Sequence, residues 1–181
     1  ETDFSQGSLT QTNNPIDMAI SGRGFFTVET DNGEAYTRNG HFTVGQDGVL
    51  RTSNGNPVLG QGGWINVSTD GMKTGNITVN IHGEIYVDDI FIDKLKITDF
   101  DSLPELKKIG HSLYKVEENT VRKIIDEPTV LQGKLEQSNV NPASEMINLI
   151  ELQRQFESSQ RVMKVIEEAL KKSATQVSRF R

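Results

Sequence analysis

The residues with the most chemical potential are few and scattered. His41, His82 and His111 stand far apart, each in a stretch that reads as strand or turn. No HxH or HxxxH spacing joins them, so structural or surface roles are expected rather than metal ligation. Asp88, Asp89 and Asp93 cluster beside a strand-like run. A calcium loop needs alternating oxygen ligands, a central glycine and a closing glutamate. The cluster lacks these and reads as a charged rim. Cysteine is absent, which removes disulfides, thiolate metal sites and cysteine nucleophiles together. Gly22-Arg23-Gly24 and Gly60-Gln61-Gly62-Gly63 are rich in glycine, but a phosphate cradle needs spaced glycines between a strand and a helix, or Gly-Lys-Ser/Thr. They read as turns. Trp64, the one tryptophan, follows the second of these turns and is expected to plug the core. Carboxylate pairs for glycoside hydrolysis meet only in a fold, and no local signature singles one out. The sequence assigns no catalytic, cofactor-binding or metal-binding residue and implies no cofactor.

The elements that carry these residues are legible. The chain has 181 residues, 34% of them apolar, with 16 glycines and a mean hydropathy of -0.47. Such composition suits a turn-rich β protein with a modest core. The net charge of -6 is uneven: from Asn141 onward there are seven Lys/Arg and five Asp/Glu, against 12 and 20 before it. A nucleic-acid binder would show a basic face, and none is present. Lys171, Lys172, Arg179 and Arg181 suit the negative end of a helix dipole. No run approaches the roughly 18 apolar residues of a membrane helix, so no membrane insertion is expected.

From Leu9 to about Gly133 the apolar pattern has period two. Asn32-Gly33, Asn39-Gly40, Asp47-Gly48, Asn54-Gly55, Asp70-Gly71 and His82-Gly83 punctuate it, and such dipeptides mark hairpin turns that need positive φ. "LPELKKIG" reads as a helical turn and "HSLYKVEE" as a strand. The fold class expected is mainly β: an irregular body of many short hairpin-linked strands over residues 1–133, as a sandwich, small barrel or meander. Residues 134–181 are read as a linker and a long amphipathic helix. Asn141 suits the N-cap, Pro142 the first helical position and Glu145 the first turn. No Gly or Pro follows to Phe180. Stepping alternately three and four from Leu149 gives Leu149, Leu152, Phe156, Ser159, Met163, Ile166, Leu170, Ser173, Val177 and Phe180. Eight of these ten are apolar, a seam of the coiled-coil kind. A helix with such a seam draws its stability from a partner. Leu149, Leu152, Phe156, Met163, Ile166 and Leu170 are the expected contacts, with a helix preceding Glu1 or with other subunits.

Three segments resemble a known family. They are "QGSLTQTNNPIDMAISGRGFF" (Gln6 to Phe26), "YTRNGHFTVGQDGVLRTSNGNPVLG" (Tyr36 to Gly60) and "LEQSNVNPASEMINLIELQRQFE" (Leu135 to Glu157), about 70 of the 181 residues. In this order they are similar to the bacterial flagellar rod and hook proteins, with Ser138-Asn139-Val140-Asn141, Glu145-Met146 and Gln153-Arg154 at the expected offsets. The resemblance implies a non-enzymatic subunit of the axial tube that transmits torque from motor to hook. It implies export through the flagellar type III apparatus without a cleaved signal peptide. An N-terminal helix would pair with the C-terminal one, and partners would be further copies and neighbouring rod and hook proteins. The hook member carries a further large domain for which there is no room, so a rod protein in the periplasmic basal body is expected, the proximal member before the distal one. Residues from about Asn66 to Pro128 match no motif of the family. Two other classes remain: a cell-wall or carbohydrate-active module on a β scaffold, with Asp88, Asp89 or Asp93 meeting in a cleft, and a soluble binding module for a lipid or peptide.

Overall fold

The computed structural model describes residues 3–69, 73–116 and 120–177. They form two compact units, dividing between Asn139 and Val140. The first is the β body. Its centre is the hairpin of Phe25–Thr30 and Gly33–Thr37, paired from Phe26 opposite Thr37 to Thr30 opposite Gly33. Gly33 turns it with φ of 95°, a conformation glycine adopts without steric cost. Four strands extend this pair into a six-stranded antiparallel sheet, in the order Lys107–Gly110, Leu113–Lys115, Gly33–Thr37, Phe25–Thr30, Ile97–Phe100 and Arg122–Ile124.

Because successive strand residues face opposite sides, Phe26, Val28, Ala35 and Ile97 enter one core with Met18, Ile20, Phe42, Leu50, Val58, Ile65 and Ile85. Phe25, Tyr36 and Phe100 enter a smaller one with Leu106 and Val116. The Tyr36 and Phe100 rings meet edge-on at 4.7 Å. The main core is closed by a three-stranded sheet of Ile90–Lys94, Glu84–Val87 and Ile77–Val79, and by the Phe42–Val44 and Leu50–Thr52 hairpin. Further pairs join Ser68–Thr69 to Lys73–Thr74 and Met18–Ile20 to Val130–Gln132.

Most of the expected turns are present. Gly48, Gly55 and Gly83 take positive φ, a short 3-10 turn covers Leu103–Glu105, and Leu113–Lys115 is a strand. The Asp70-Gly71 turn and Glu117-Glu118 lie outside the described residues. Asn39-Gly40 works differently from the expectation. Gly40 does not take positive φ; its need is space, because a Cβ there would sit 1.6 Å from the Met18 carbonyl oxygen, and its own carbonyl accepts the Met18 N–H at 3.0 Å.

The body also runs past the boundary expected at residue 133. Lys134–Glu136 is not linker but strand, paired antiparallel with Leu9–Gln11. With the Met18–Ile20 pair, it lays the two ends of the body side by side.

The second unit is the helix Pro142–Val177, 36 residues long, or about 54 Å at 1.5 Å per residue. Its start is the one expected. The Asn141 side chain accepts the Ala143 N–H at 3.0 Å and its carbonyl accepts the Glu145 N–H at 3.1 Å, which satisfies donors that a helix start leaves open. Its last described turn carries no cation. Lys171 and Lys172 lie earlier in the helix, and Arg179 and Arg181 lie outside the described residues.

Candidate functional site

Where the two ends of the body meet, an ion pair holds them. Arg38 Nε and Nη2 lie 3.0 and 2.9 Å from Glu136 Oε2, with only 20% and 11% of the two side chains exposed. Arg38 Nη1 donates to the Gly22 carbonyl at 2.8 Å and to that of Gly24 at 2.6 Å. The positive φ of these glycines, 103° and 114°, gives the turn that aims both carbonyls at one guanidinium. Glu136 Oε1 accepts the Gly7 N–H at 2.9 Å. Gly7 is obligatory there, since a Cβ would lie 1.8 Å from the Gln137 carbonyl oxygen. Around this centre Gln6 bonds Ile20 and Gly22 at 3.1 and 3.0 Å, and Asn139 Nδ2 donates to the Asp3 and Ser5 carbonyls at 3.2 and 3.0 Å. A guanidinium supplies five donors in a fixed fork, and here one fork ties its own strand to the Gly22–Gly24 turn and to Glu136, which in turn holds Gly7. Sequence reasoning singled out neither Arg38 nor Glu136. Their signal was that they stand in two of the three quoted segments, while Gln6, Gly7, Gly22 and Gly24 stand in the third.

The helix presents the other candidate surface. Leu149, Leu152, Phe156, Met163, Ile166 and Leu170 are 54 to 68% exposed. At about 100° per residue they fall within an arc of about 100°. Leu149, Leu152 and Phe156 border a shallow apolar hollow with Gln153, Gln155 and Ser159. Met146, Ile150 and Val162 are also exposed and widen the stripe. The side chains of Ser173 and Val177, and all of Phe180, lie outside what the structure describes.

The remaining residues of interest serve the body. His41 Nδ1 lies 2.7 Å from the buried Asp17 carboxylate, which also accepts from Asn14 at 3.1 Å. His82 and His111 sit in exposed turns. Asp88 and Asp89 form the turn of a hairpin, with φ of 48° and 65°, and Asp93 accepts the Gly62 N–H at 3.1 Å. Asp88 and Asp89 are exposed and Asp93 is half-buried, the charged rim that was expected. Trp64 is a correction. It is 55% exposed instead of plugging the core, because the period-two alternation turns Ile65 and Val67 inward and Trp64 outward. Its indole N–H donates to the Glu29 carboxylate, along an open cleft with Glu34, Lys96, Ile124 and Asp126. Among the described residues no helix is long and apolar enough to cross a membrane.

The chain thus combines a β body whose two ends are tied together with a separate long helix whose apolar stripe is exposed, the makings of a class of proteins built to associate rather than to enclose a pocket. Residues 19–87 match the model of the flagellar hook protein FlgE/F/G D1 domain, and residues 131–177 match that of the flagellar basal body rod FlgEFG protein C-terminal region. The flagellar basal-body rod protein FlgF of Caulobacter vibrioides is 38% identical over 160 residues, 88% of this chain and 64% of that protein. The rod protein FlgG of Buchnera aphidicola subsp. Baizongia pistaciae is 36% identical over 185 residues, 95% of this chain and 69% of its own length. FlgG of Bacillus subtilis is 30% identical over 183 residues, 94% and 68%. The chain therefore belongs to the flagellar basal-body rod protein family, and it spans about two thirds of the length of these relatives.

The Arg38 clamp and the helix lie mostly within the matched regions. The first match also reaches Val87, into the stretch after Asn66 where the sequence offered no motif.

Proposed function

We propose that this chain is a structural subunit of the flagellar rod, polymerising into the axial tube that carries torque from motor to hook, and that it is not an enzyme. The observation that carries the reading is the helix stripe from Leu149 to Leu170. Burying a Leu, Ile, Met or Phe side chain is worth about 1.5–3 kcal/mol, so six of them offer on the order of 10 kcal/mol to a partner helix before association costs. The partner in this reading is an N-terminal helix of the same subunit together with the helices of neighbouring subunits, as the inner layer of the tube, with the β body outside. The tube crosses the periplasm, and its subunits reach it through the flagellar export apparatus without a cleaved signal peptide.

Leu152→Glu/Phe156→Glu is the test. In a flagellated host lacking its own rod subunit, the wild-type protein, supplied at full length, should restore swimming. The double variant should be exported yet build no rod and restore nothing. Normal swimming by the variant would refute the reading. The proximal position is preferred to the distal one on the small body and the "NPVLGQGGWI" segment. It predicts rescue of a strain lacking the proximal subunit and none of a strain lacking the distal one.

A further inference from the structure

Two hairpins of the body carry opposite charge and exposed apolar residues. Glu84–Val87 and Ile90–Lys94 form the first, with Glu84, Asp88, Asp89 and Asp93 against Lys94, a net of -3. Lys107–Gly110 and Leu113–Lys115 form the second, with Lys107, Lys108 and Lys115 and no acid, a net of +3. Both close on tight turns of two positive-φ residues, Asp88-Asp89 at 48° and 65° and His111-Ser112 at 50° and 59°. Both contain a register shift, and a bulge of this kind re-aims side chains. In the basic hairpin the unpaired residue is Ile109, 49% exposed. In the acidic hairpin Ile90 and Phe91 are 61% and 54% exposed, and the Tyr86 ring steadies Phe91 edge-on at 5.7 Å.

Each hairpin also ends a sheet. Ile90–Lys94 is an edge of the three-stranded sheet and Lys107–Gly110 an edge of the six-stranded one. Ile97–Phe100, into which the acidic hairpin runs, is four strand positions from Lys107–Gly110, about 19 Å at roughly 4.8 Å per strand. The opposite edge of the six-stranded sheet, Arg122–Ile124, is basic as well, so like charge disfavours pairing of the sheet with itself edge to edge.

We infer that the acidic hairpin of one copy docks on the basic hairpin of the next, Ile90 and Phe91 against Ile109, as a head-to-tail contact between bodies. It rests on the rod reading and supplies an outer contact to which the helix stripe does not contribute. A heterologous contact of this kind generates open helical arrays unless its rotation closes a ring. Charge selects the pairing and rejects the two like-with-like alternatives.

The cysteine-free chain makes the test direct. Ile90→Cys and Ile109→Cys change exposed positions, and the two variants are mixed as full chains under mild oxidation. The expected product is the 90–109 heterodimer, at several times the yield of 90–90 or 109–109 dimers. Raising salt from about 0.1 M to about 1 M shortens the Debye length from about 10 Å to about 3 Å and should reduce that yield several-fold. Lys107→Glu/Lys108→Glu in the Ile109→Cys chain should abolish it, and Lys123→Cys in place of Ile109→Cys should not cross-link. Equal yields of all dimers, no salt dependence, or an equally efficient 90–123 product would overturn the contact. If the 90–109 product fails to form while Leu152→Glu/Phe156→Glu still prevents rod assembly, the hairpin contact falls and the rod reading stands.

Discussion

Arg38 illustrates how much can rest on one side chain. Replacing it with alanine strands the mostly buried Glu136 carboxylate and the Gly22 and Gly24 carbonyls, and breaking a pair of this kind is costly because the partner stays desolvated. Arg38→Ala should cost about 2–3 kcal/mol in urea unfolding. Arg38→Lys should recover less than half of it, since an ammonium cannot serve Glu136 and both carbonyls in fork geometry. Full recovery by lysine would show that charge alone matters. The glycines separate two mechanisms. Gly40→Ala forces a Cβ onto the Met18 carbonyl and should cost more than about 3 kcal/mol. Gly55→Ala meets open space but holds φ of 85° and should cost about 1–2 kcal/mol.

Glu34 gives a pH signature at the same scale. Burial pushes its carboxyl up, but Lys96 at 2.6 Å and the Tyr36 hydroxyl outweigh this and hold it below its ordinary value of 4.5. A carboxyl depressed in the folded state adds stability above its unfolded pKa and loses it as pH falls through the folded one. Lys96→Met should therefore destabilise the protein near pH 7, and its deficit relative to wild type should shrink toward about pH 3. Urea midpoints at the two pH values check this. A deficit that stays constant would mean that packing, not charge, is what Lys96 contributes.

At the scale of elements, local punctuation was readable and long-range pairing was not. Asn32-Gly33, Asp47-Gly48 and His82-Gly83 carry their turns in two adjacent residues, and Asn141-Pro142 carries the helix start in the same way. Nothing near Lys134 shows that Leu9 lies opposite Glu136, because a strand pairing over that separation leaves no local pattern. For the same reason residues 134–136 read as linker. Trp64 departs from expectation because tryptophan is largely buried on average, whereas phase along the strand decides the face it takes. The helix cap is small by comparison. Asn141→Ala should cost about 1 kcal/mol of helix stability, seen as a modest loss of ellipticity at 222 nm with no change in the body's unfolding midpoint.

At the scale of the whole molecule, the division at Asn139 makes a prediction about truncation. A chain ending at Asn139 keeps Lys134–Glu136 paired and should unfold within a few degrees of the full chain. One ending at Gly133 loses that strand and Glu136 together. It should lose about 2 kcal/mol or more, since Arg38 then has no carboxylate. Thermal melts followed in the β region of the circular dichroism spectrum distinguish the two. Equal melting would mean that the clamp contributes nothing to the body.

The pairing of Leu9–Gln11 with Lys134–Glu136 has a topological meaning as well. Everything between Gln11 and Lys134 is one closed excursion of the chain, leaving and returning at neighbouring points. Domains with neighbouring ends tolerate insertion and replacement. Hairpins can therefore be spliced into that excursion, or removed from it, without moving the two ends apart. Outer surfaces can diversify in this way while the base keeps one spacing.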